Sequence, residues 1–209
     1  MNNLRIVFMG TPDFATASLQ ALVEKNYNVV GVITVPDKPA GRGQQLRTSS
    51  VKEYALSQNI PVLQPTNLKN DSFLAELKAL KADVQVVVAF RMLPEVVWNM
   101  PKHGTFNLHA SLLPKYRGAA PINWAIINGD TASGVTTFFI EHLIDTGNII
   151  FQEKASIKPD DNAGVLHDKL MRIGSQLVCK TIDAIKDGKA PNIKQEGAAT
   201  QAPKIFKDT

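Results

Sequence analysis

One cysteine in 209 residues, Cys179, excludes an internal disulfide. It lies in an apolar helical pattern with Leu177, Val178 and Ile182, which reads as an inert core thiol rather than a nucleophile. A chain without disulfides is expected in the cytoplasm. No apolar run approaches the ~20 residues needed to span a bilayer, and Met1-Asn-Asn-Leu-Arg5 leads into a strand-like run, not a signal peptide. G-x-G-x-x-G, Gly-Lys-Ser/Thr, G-x-S-x-G, H-E-x-x-H and Cys-x-x-Cys are all missing. Those gaps argue against a dinucleotide cradle, a P-loop, a serine-hydrolase elbow and the common zinc sites. His103, His109, His142 and His167 are scattered, so no metal is expected. Neither sign of charge prevails: Lys and Arg total 23 against 19 Asp and Glu, a net of +4. A polyanion partner is permitted but not demanded. Repeats and low-complexity tracts are absent.

What is present is ordinary globular composition, with 44% hydrophobic residues, enough for one large core or a core with a small annex. Leu4-Arg-Ile-Val-Phe-Met9 predicts a strand. A helix follows, with Phe14, Leu19, Leu22 and Val23 on its apolar face, and then a strand over Val29-Val30-Gly-Val-Ile-Thr34. That β-α-β opening implies a parallel pair. Ser50 to Gln58 and Phe73 to Leu80 read as helices, and Pro61-Val-Leu63 as a short strand. The nearly all-apolar run Asp83-Val-Gln-Val-Val-Val-Ala89 reads as a central parallel strand. Gly104-Thr-Phe-Asn-Leu-His109 is another strand, and Pro121 to Ile127 a helix with proline at a favoured place. Gly134 to Ile140 and Asn148 to Glu153 have hairpin spacing, so antiparallel members are expected there. A long amphipathic helix runs from about Asp161 to Lys186, stopped by Gly188. The fold class is α/β: a Rossmann-like, mainly parallel sheet flanked by helices, with antiparallel strands added in the C-terminal part. Residues 201–209 lack a packed pattern and read as the start of a linker, so residues 1–200 are expected to form one domain of something longer.

The most informative stretch is Asn107-Leu-His109 followed by Ser111-Leu-Leu-Pro-Lys-Tyr-Arg-Gly118. In an extended strand, residues at i and i+2 share a face, so the Asn107 amide and the His109 imidazole project together. Two polar groups on one buried face are costly unless paired or used. Strand ends beside loops are where open α/β sheets place their sites. Asp145, in the short loop between the two hairpin strands, adds a carboxylate. The three offer an amide donor for an oxyanion, an imidazole for proton transfer, and a carboxylate to orient that imidazole. With no evident nucleophile, direct transfer between two bound substrates is favoured over a covalent enzyme intermediate. The bland alternative for His109 is a structural histidine with satisfied hydrogen bonds.

Two other segments are less specific. Gly10-Thr-Pro-Asp-Phe14 opens a helix, where amides hold phosphates well. Pro12 removes one donor, and a capped helix start with Asp13 complementing the dipole is the simpler reading. Residues 35–49 are expected to form an unstructured loop, functional or merely solvated. Its Lys38, Arg42 and Arg47, without aromatic neighbours, suit phosphate oxygens better than base stacking.

Taken together, Asn107-Leu-His109, Ser111-Leu-Leu-Pro-Lys-Tyr-Arg-Gly-Ala-Ala-Pro121 and Asp145-Thr-Gly147 resemble the formyltetrahydrofolate-dependent transferases. Gly10-Thr-Pro-Asp-Phe-Ala15 and Pro36-Asp-Lys-Pro-Ala-Gly-Arg-Gly43 resemble the branch acting on initiator methionyl-tRNA. The resemblance implies a Rossmann-like catalytic domain followed by a linker and a smaller β-barrel that helps hold tRNA. It implies 10-formyltetrahydrofolate as co-substrate, no metal, and a monomer. It assigns catalysis to Asn107, His109 and Asp145. Folate contacts fall to Ser111, Leu112, Leu113 and Pro114, with Phe90, Arg91, Met92, Leu93, Leu143 and Ile144 around the pterin. Arg42, with Lys38 and Arg47, would meet the acceptor stem. One departure is visible: Phe90-Arg-Met-Leu-Pro94 is one residue shorter than the family's usual Tyr-Gly-x-x-Leu-Pro and carries an arginine. Rival readings that share the trio are transfer to glycinamide ribonucleotide or to an amino-arabinose nucleotide sugar, and a formyltetrahydrofolate hydrolase-type domain. A folate-binding module without activity is the non-enzyme alternative.

Overall fold

A computed structural model describes residues 4–40 and 45–206. The chain divides into two compact units, residues 1–105 and 106–209.

In the first unit, strand β1 (Ile6–Gly10), helix α1 (Asp13–Glu24) and strand β2 (Val29–Ile33) form the expected parallel crossover. β1 also pairs in parallel with β6 (Val84–Val88), and β2 with the short β5 (Val62–Leu63). Every residue of β1 and β6 is buried, which is why neither segment alternates and both are apolar apart from Gln85 in β6. A Cβ on Gly10 would lie 2.5 Å from the Ala15 Cβ and 2.9 Å from the Val88 oxygen, so only glycine lets this strand end run so close to α1.

Helices α2 (Ser50–Ser57) and α3 (Asp71–Ala79) start on side-chain caps. Ser49 accepts from the Lys52 amide at 3.1 Å, and Asn70 from the Ser72 amide at 2.9 Å; each satisfies a donor that the first turn leaves open. α1 differs from expectation: its cap position is Pro12, which makes no side-chain bond, and only Asp13 in the first turn serves the dipole. A further short helix, α4 (Glu95–Trp98), follows β6.

The segment 35–49 is not structureless. β3 (Lys38–Ala40) and β4 (Gln45–Arg47) pair antiparallel, with Lys38 opposite Arg47. Its base is tied down by Asp37, which accepts from Lys52 Nζ at 2.5 Å and from Gln64 Nε2 at 2.8 Å. Strands this short, holding charges and a proline, carry no alternation to read; side chains distant in sequence decide the pairing.

In the second unit, β7 (Thr105–His109), β8 (Ala132–Phe139) and β9 (Ile149–Ser156) are antiparallel from Phe106 on. Helix α5 (Pro121–Ile127) begins on Pro121. Helix α6 (Ala163–Lys186) begins on Asn162, which accepts from the Val165 amide at 3.0 Å. It ends at Gly188, φ +65, with Gly188 N to Ile185 O at 3.1 Å and Lys189 N to Ala184 O at 2.8 Å, a Schellman closure. Its buried stripe, Leu166, Leu170, Leu177, Val178 and Ile182, is interrupted by Gly174. A Cβ there would lie 2.7 Å from Leu108 Cδ2, so Leu108 packs into the notch on α6. Burying such a leucine contributes roughly 1.5–3 kcal/mol, and it turns Asn107 and His109 to the opposite face of β7. Cys179 is buried in α6 as expected.

Residues 193–203 pack rather than trail away. Ile193 bridges Ile149, Gln201 bridges Arg117, and Ala202 is fully buried. The sequence there shows no period because the segment is held by backbone bonds to loops, not by a face of its own. Among the described residues no helix is long and apolar enough to cross a membrane.

Candidate active site

The three residues singled out from sequence come together in the second unit. His109 is buried, and its Nε2 lies 2.7 Å from the Tyr116 carbonyl. A carbonyl oxygen only accepts, so Nε2 carries a proton and Nδ1 is the nitrogen left for chemistry. Nδ1 lies 3.8 Å from Asp145 Oδ2. That distance suits an ion pair and is too long for a hydrogen bond. The Tyr116 carbonyl fixes the ring from the Nε2 side, and Asp145 faces its working nitrogen at ion-pair distance. The Phe138 ring stands edge-on to His109 at 6.5 Å, which closes one side of the imidazole with an apolar wall.

Asn107 is half-buried, and among the described residues its side-chain amide has no hydrogen-bond partner. It is on the same face of β7 as His109. An amide that the fold leaves unused beside an imidazole is free to donate to a reacting oxygen.

Asp145 sits at φ +55, a left-handed conformation unusual for a side chain with Cβ. Three contacts hold it there. The Gly118 amide donates to Asp145 Oδ2 at 2.8 Å. Gln195 Nε2 donates to the Asp145 carbonyl at 2.9 Å and to the Gly147 carbonyl at 2.8 Å. Gly147 itself fits where a Cβ would lie 1.7 Å from the Phe139 oxygen. The neighbours Leu143 and Ile144 are 71% and 57% exposed, two large apolar side chains left open beside a partly buried carboxylate.

The residues expected to contact folate divide into used and available groups. Ser111 is fully buried and its hydroxyl donates to the Lys115 carbonyl at 2.6 Å. Leu113 packs with Phe138 and Ile149, and its amide donates to Thr136 Oγ1 at 3.1 Å. Their side chains thus build the loop, while Leu112 and Pro114 stay half-exposed. In the first unit, Arg91 donates to the Pro65 and Thr66 carbonyls and lies 5.5 Å from the Phe90 ring. Burial pushes its guanidinium below the ordinary value. Met92 is exposed and Leu93 buried, on an open groove of about 1000 Å³ that also takes in Lys69, Glu95 and Asn99. Lys38 and Arg47 are exposed on the β3–β4 hairpin, whereas Arg42 lies outside the described residues. No group of three or more His, Cys, Asp or Glu among the described residues is placed to hold a metal ion.

Sequence reasoning missed Tyr116, Gly118 and Gln195. The first two act through backbone atoms, which leave no trace in residue type. Gln195 acts across 50 residues from an irregular segment, and only its amide chemistry hinted at such a use.

A model of the formyl transferase family matches residues 4–182. The chain belongs to the formyl transferase family. Curated relatives in that family include the methionyl-tRNA formyltransferase of Bacteroides fragilis, 62% identical over 99% of this chain and 65% of the relative. That of Flavobacterium johnsoniae is 63% identical over 94% of this chain and 62% of the relative. The chain thus spans a little under two thirds of the length of these relatives. A solved N-formyltransferase from Helicobacter canadensis, in complex with folinic acid and dTDP-3-aminofucose, has a TM-score of 0.73 at 27% identity, covering 96% of this chain and 71% of that one. A phosphoribosylglycinamide formyltransferase from Streptococcus pneumoniae shares the fold, with a TM-score of 0.75 at 17% identity over 88% of this chain and 99% of that one.

Proposed function

We propose that this formyl transferase moves the formyl group of 10-formyltetrahydrofolate to the α-amine of methionyl-initiator-tRNA, giving formylmethionyl-tRNA for translation initiation. The observation that carries the chemistry is the unpartnered Asn107 amide on the same strand face as His109, whose Nδ1 faces Asp145 at 3.8 Å. The acceptor reading is supported by relatives 62% identical over nearly the whole chain that bear that name.

In this reading the neutral α-amine attacks the formyl carbon. A C–N bond forms and the carbonyl becomes an oxyanion, which the Asn107 amide and the Nδ1–H of His109, here the doubly protonated imidazolium, stabilise. Asp145 accepts the amine's proton through water. His109 delivers a proton to the departing folate nitrogen as its bond to the formyl carbon breaks, so no proton or electron pair is left over. Gly118 N occupies Asp145 Oδ2, which leaves Oδ1 for that water.

The pterin lies by Phe90, Arg91, Met92, Leu93, Leu143 and Ile144, and Ser111, Leu112, Leu113 and Pro114 support the folate. A folate-derived ligand in the Helicobacter canadensis relative supports that class of donor. Lys38, Arg42 and Arg47 meet the acceptor stem. The enzyme acts as a cytoplasmic monomer that needs no metal. A linker and a β-barrel domain follow the catalytic portion, for which the relatives' greater length leaves room.

The test is formyl transfer by the full-length protein to methionyl-tRNA, glycinamide ribonucleotide and a nucleotide-sugar amine, with His109→Ala alongside. Product on methionyl-tRNA that disappears in the variant supports donor, acceptor and trio together. Product only on a small nucleotide acceptor keeps the chemistry and overturns the tRNA reading. In the same assay, Arg42→Ala is expected to weaken tRNA use without changing folate affinity.

A further inference from the structure

Gln195 uses every polar atom of its side chain on the two loops that surround His109. Its Nε2 donates to the Asp145 carbonyl at 2.9 Å and the Gly147 carbonyl at 2.8 Å, while its Oε1 accepts from Arg117 Nη2 at 2.7 Å and Nε at 3.3 Å. Arg117 lies between Tyr116, whose carbonyl orients His109, and Gly118, whose amide holds the Asp145 carboxylate. One amide side chain thus joins the Arg117 side chain, from the turn that sets the imidazole, to the backbone of the loop that carries the carboxylate.

Its own position is fixed from both sides. Ile193 pairs with Ile149, by N–O distances of 2.7 and 2.9 Å, at the point where β9 leaves the Asp145 loop. Beyond Gln195, the Thr200 carbonyl accepts from Arg117 N at 2.9 Å and Ala202 N donates to Arg117 O at 2.7 Å. The stretch 193–202, bridged at both ends, is therefore a strap across the site loops, and the side-chain hydrogen bonds it makes to the Asp145 loop among the described residues come from Gln195.

We propose that Gln195 is a positioning residue for Asp145: it holds the left-handed backbone at Asp145 and couples it to the Arg117–Gly118 turn, so that the carboxylate stays opposite His109 Nδ1. The inference rests on the trio as the site of formyl transfer. The left-handed conformation of a non-glycine residue costs free energy that its surroundings must supply. Without the two donated hydrogen bonds the loop relaxes, and Asp145 leaves its place although every catalytic group is still present. Misplacement of a catalytic group by about 1 Å costs on the order of 100-fold in rate.

The test is a double-mutant cycle of Gln195→Ala and Asp145→Asn in the full-length protein, read as kcat and folate KM in formyl transfer, with the melting temperature of each variant. Gln195→Ala is expected to lower kcat by about 10- to 100-fold, with folate KM changed less than threefold. Because Gln195 acts through Asp145, the double variant is expected to be no slower than Asp145→Asn alone. Gln195→Glu keeps an acceptor for Arg117 but sets oxygen against two carbonyls, so it is expected to be as slow as Gln195→Ala. Full kcat in folded Gln195→Ala or Gln195→Glu overturns the proposal, and so does a strictly multiplicative double variant. If Asp145→Asn itself keeps full kcat, the trio reading fails first and takes this inference with it, an outcome separable from the others. Should Gln195→Ala not fold, Gln195→Glu, with its pair to Arg117 retained, carries the same comparison.

Discussion

His109 Nε2 stands 2.7 Å from the carbonyl oxygen of Tyr116, seven residues further along the chain. That single bond decides which imidazole nitrogen can work, since Nε2–H donates to the carbonyl and Nδ1 is left facing Asp145. The Tyr116 carbonyl is held in turn by the rest of its residue. Tyr116 is at φ +59, its hydroxyl donates to Asp130 Oδ2 at 2.7 Å, and Asn128 Nδ2 donates to that hydroxyl at 3.0 Å.

Tyr116→Phe should therefore destabilise the protein by about 1 kcal/mol, the usual worth of one such hydrogen-bonded hydroxyl. Burial raises the Tyr116 pKa above its ordinary value of 10.0. The stability this contributes is complete below the unfolded pKa and is lost as pH rises through the folded one. The gap in urea midpoint between wild type and variant should accordingly narrow above pH ~10. A gap that widens there contradicts the burial argument.

Asn107→Ala should lower kcat by about 100- to 1000-fold, since one preformed donor to the oxyanion is removed. Its amide supports no other part of the fold among the described residues, so the melting temperature should barely move. A loss of less than tenfold in steady-state formyl transfer sinks the oxyanion role.

Gly147→Ala should unfold the Asp145 loop. The added Cβ would lie 1.7 Å from the Phe139 oxygen, a backbone atom that cannot swing aside. A fall in melting temperature together with loss of formyl transfer is expected. A variant with unchanged melting would mean that β8 and the loop can separate at little cost.

Asp37 is held below the ordinary carboxylate range by its hydrogen bond to Lys52, and next by that to Gln64. The contribution of a depressed carboxylate is present above the unfolded value of 3.8 and is lost as pH falls through the folded one. Urea midpoints taken from pH ~6 down to pH ~2 should therefore fall less steeply for Asp37→Asn than for wild type. Equal slopes would remove Asp37 as an anchor of the hairpin.

Lys38 and Arg47 face each other across that hairpin. If both meet phosphates, Lys38→Ala with Arg47→Ala should flatten the dependence of log Kd for tRNA on log salt by about one to two. Filter binding at several salt concentrations reads this directly, and an unchanged slope assigns the tRNA footprint elsewhere.

Periodicity alone determined most of the framework. The buried parallel strands appear as nearly all-apolar runs, with Gln85 the polar member of β6, because both faces are covered. The stop at Gly188 is local chemistry, legible in the sequence, whereas the caps at Ser49, Asn70 and Asn162 emerged with the structure. Asn107 and His109 were legible because a period of two puts them on one face whatever surrounds the strand. Tertiary structure decided everything that runs through the backbone or across long separations. The β3–β4 hairpin depends on Asp37 meeting Lys52 and Gln64, and its three-residue strands have no pattern of their own. The packing of residues 193–203 depends on carbonyls and amides of a distant loop, which every residue type carries. The choice of Nδ1 over Nε2, and the left-handed turn that aims Asp145, likewise rest on the Tyr116 carbonyl, the Gly118 amide and Gln195. A sequence specifies those atoms but not their meeting, which only the packed fold brings about.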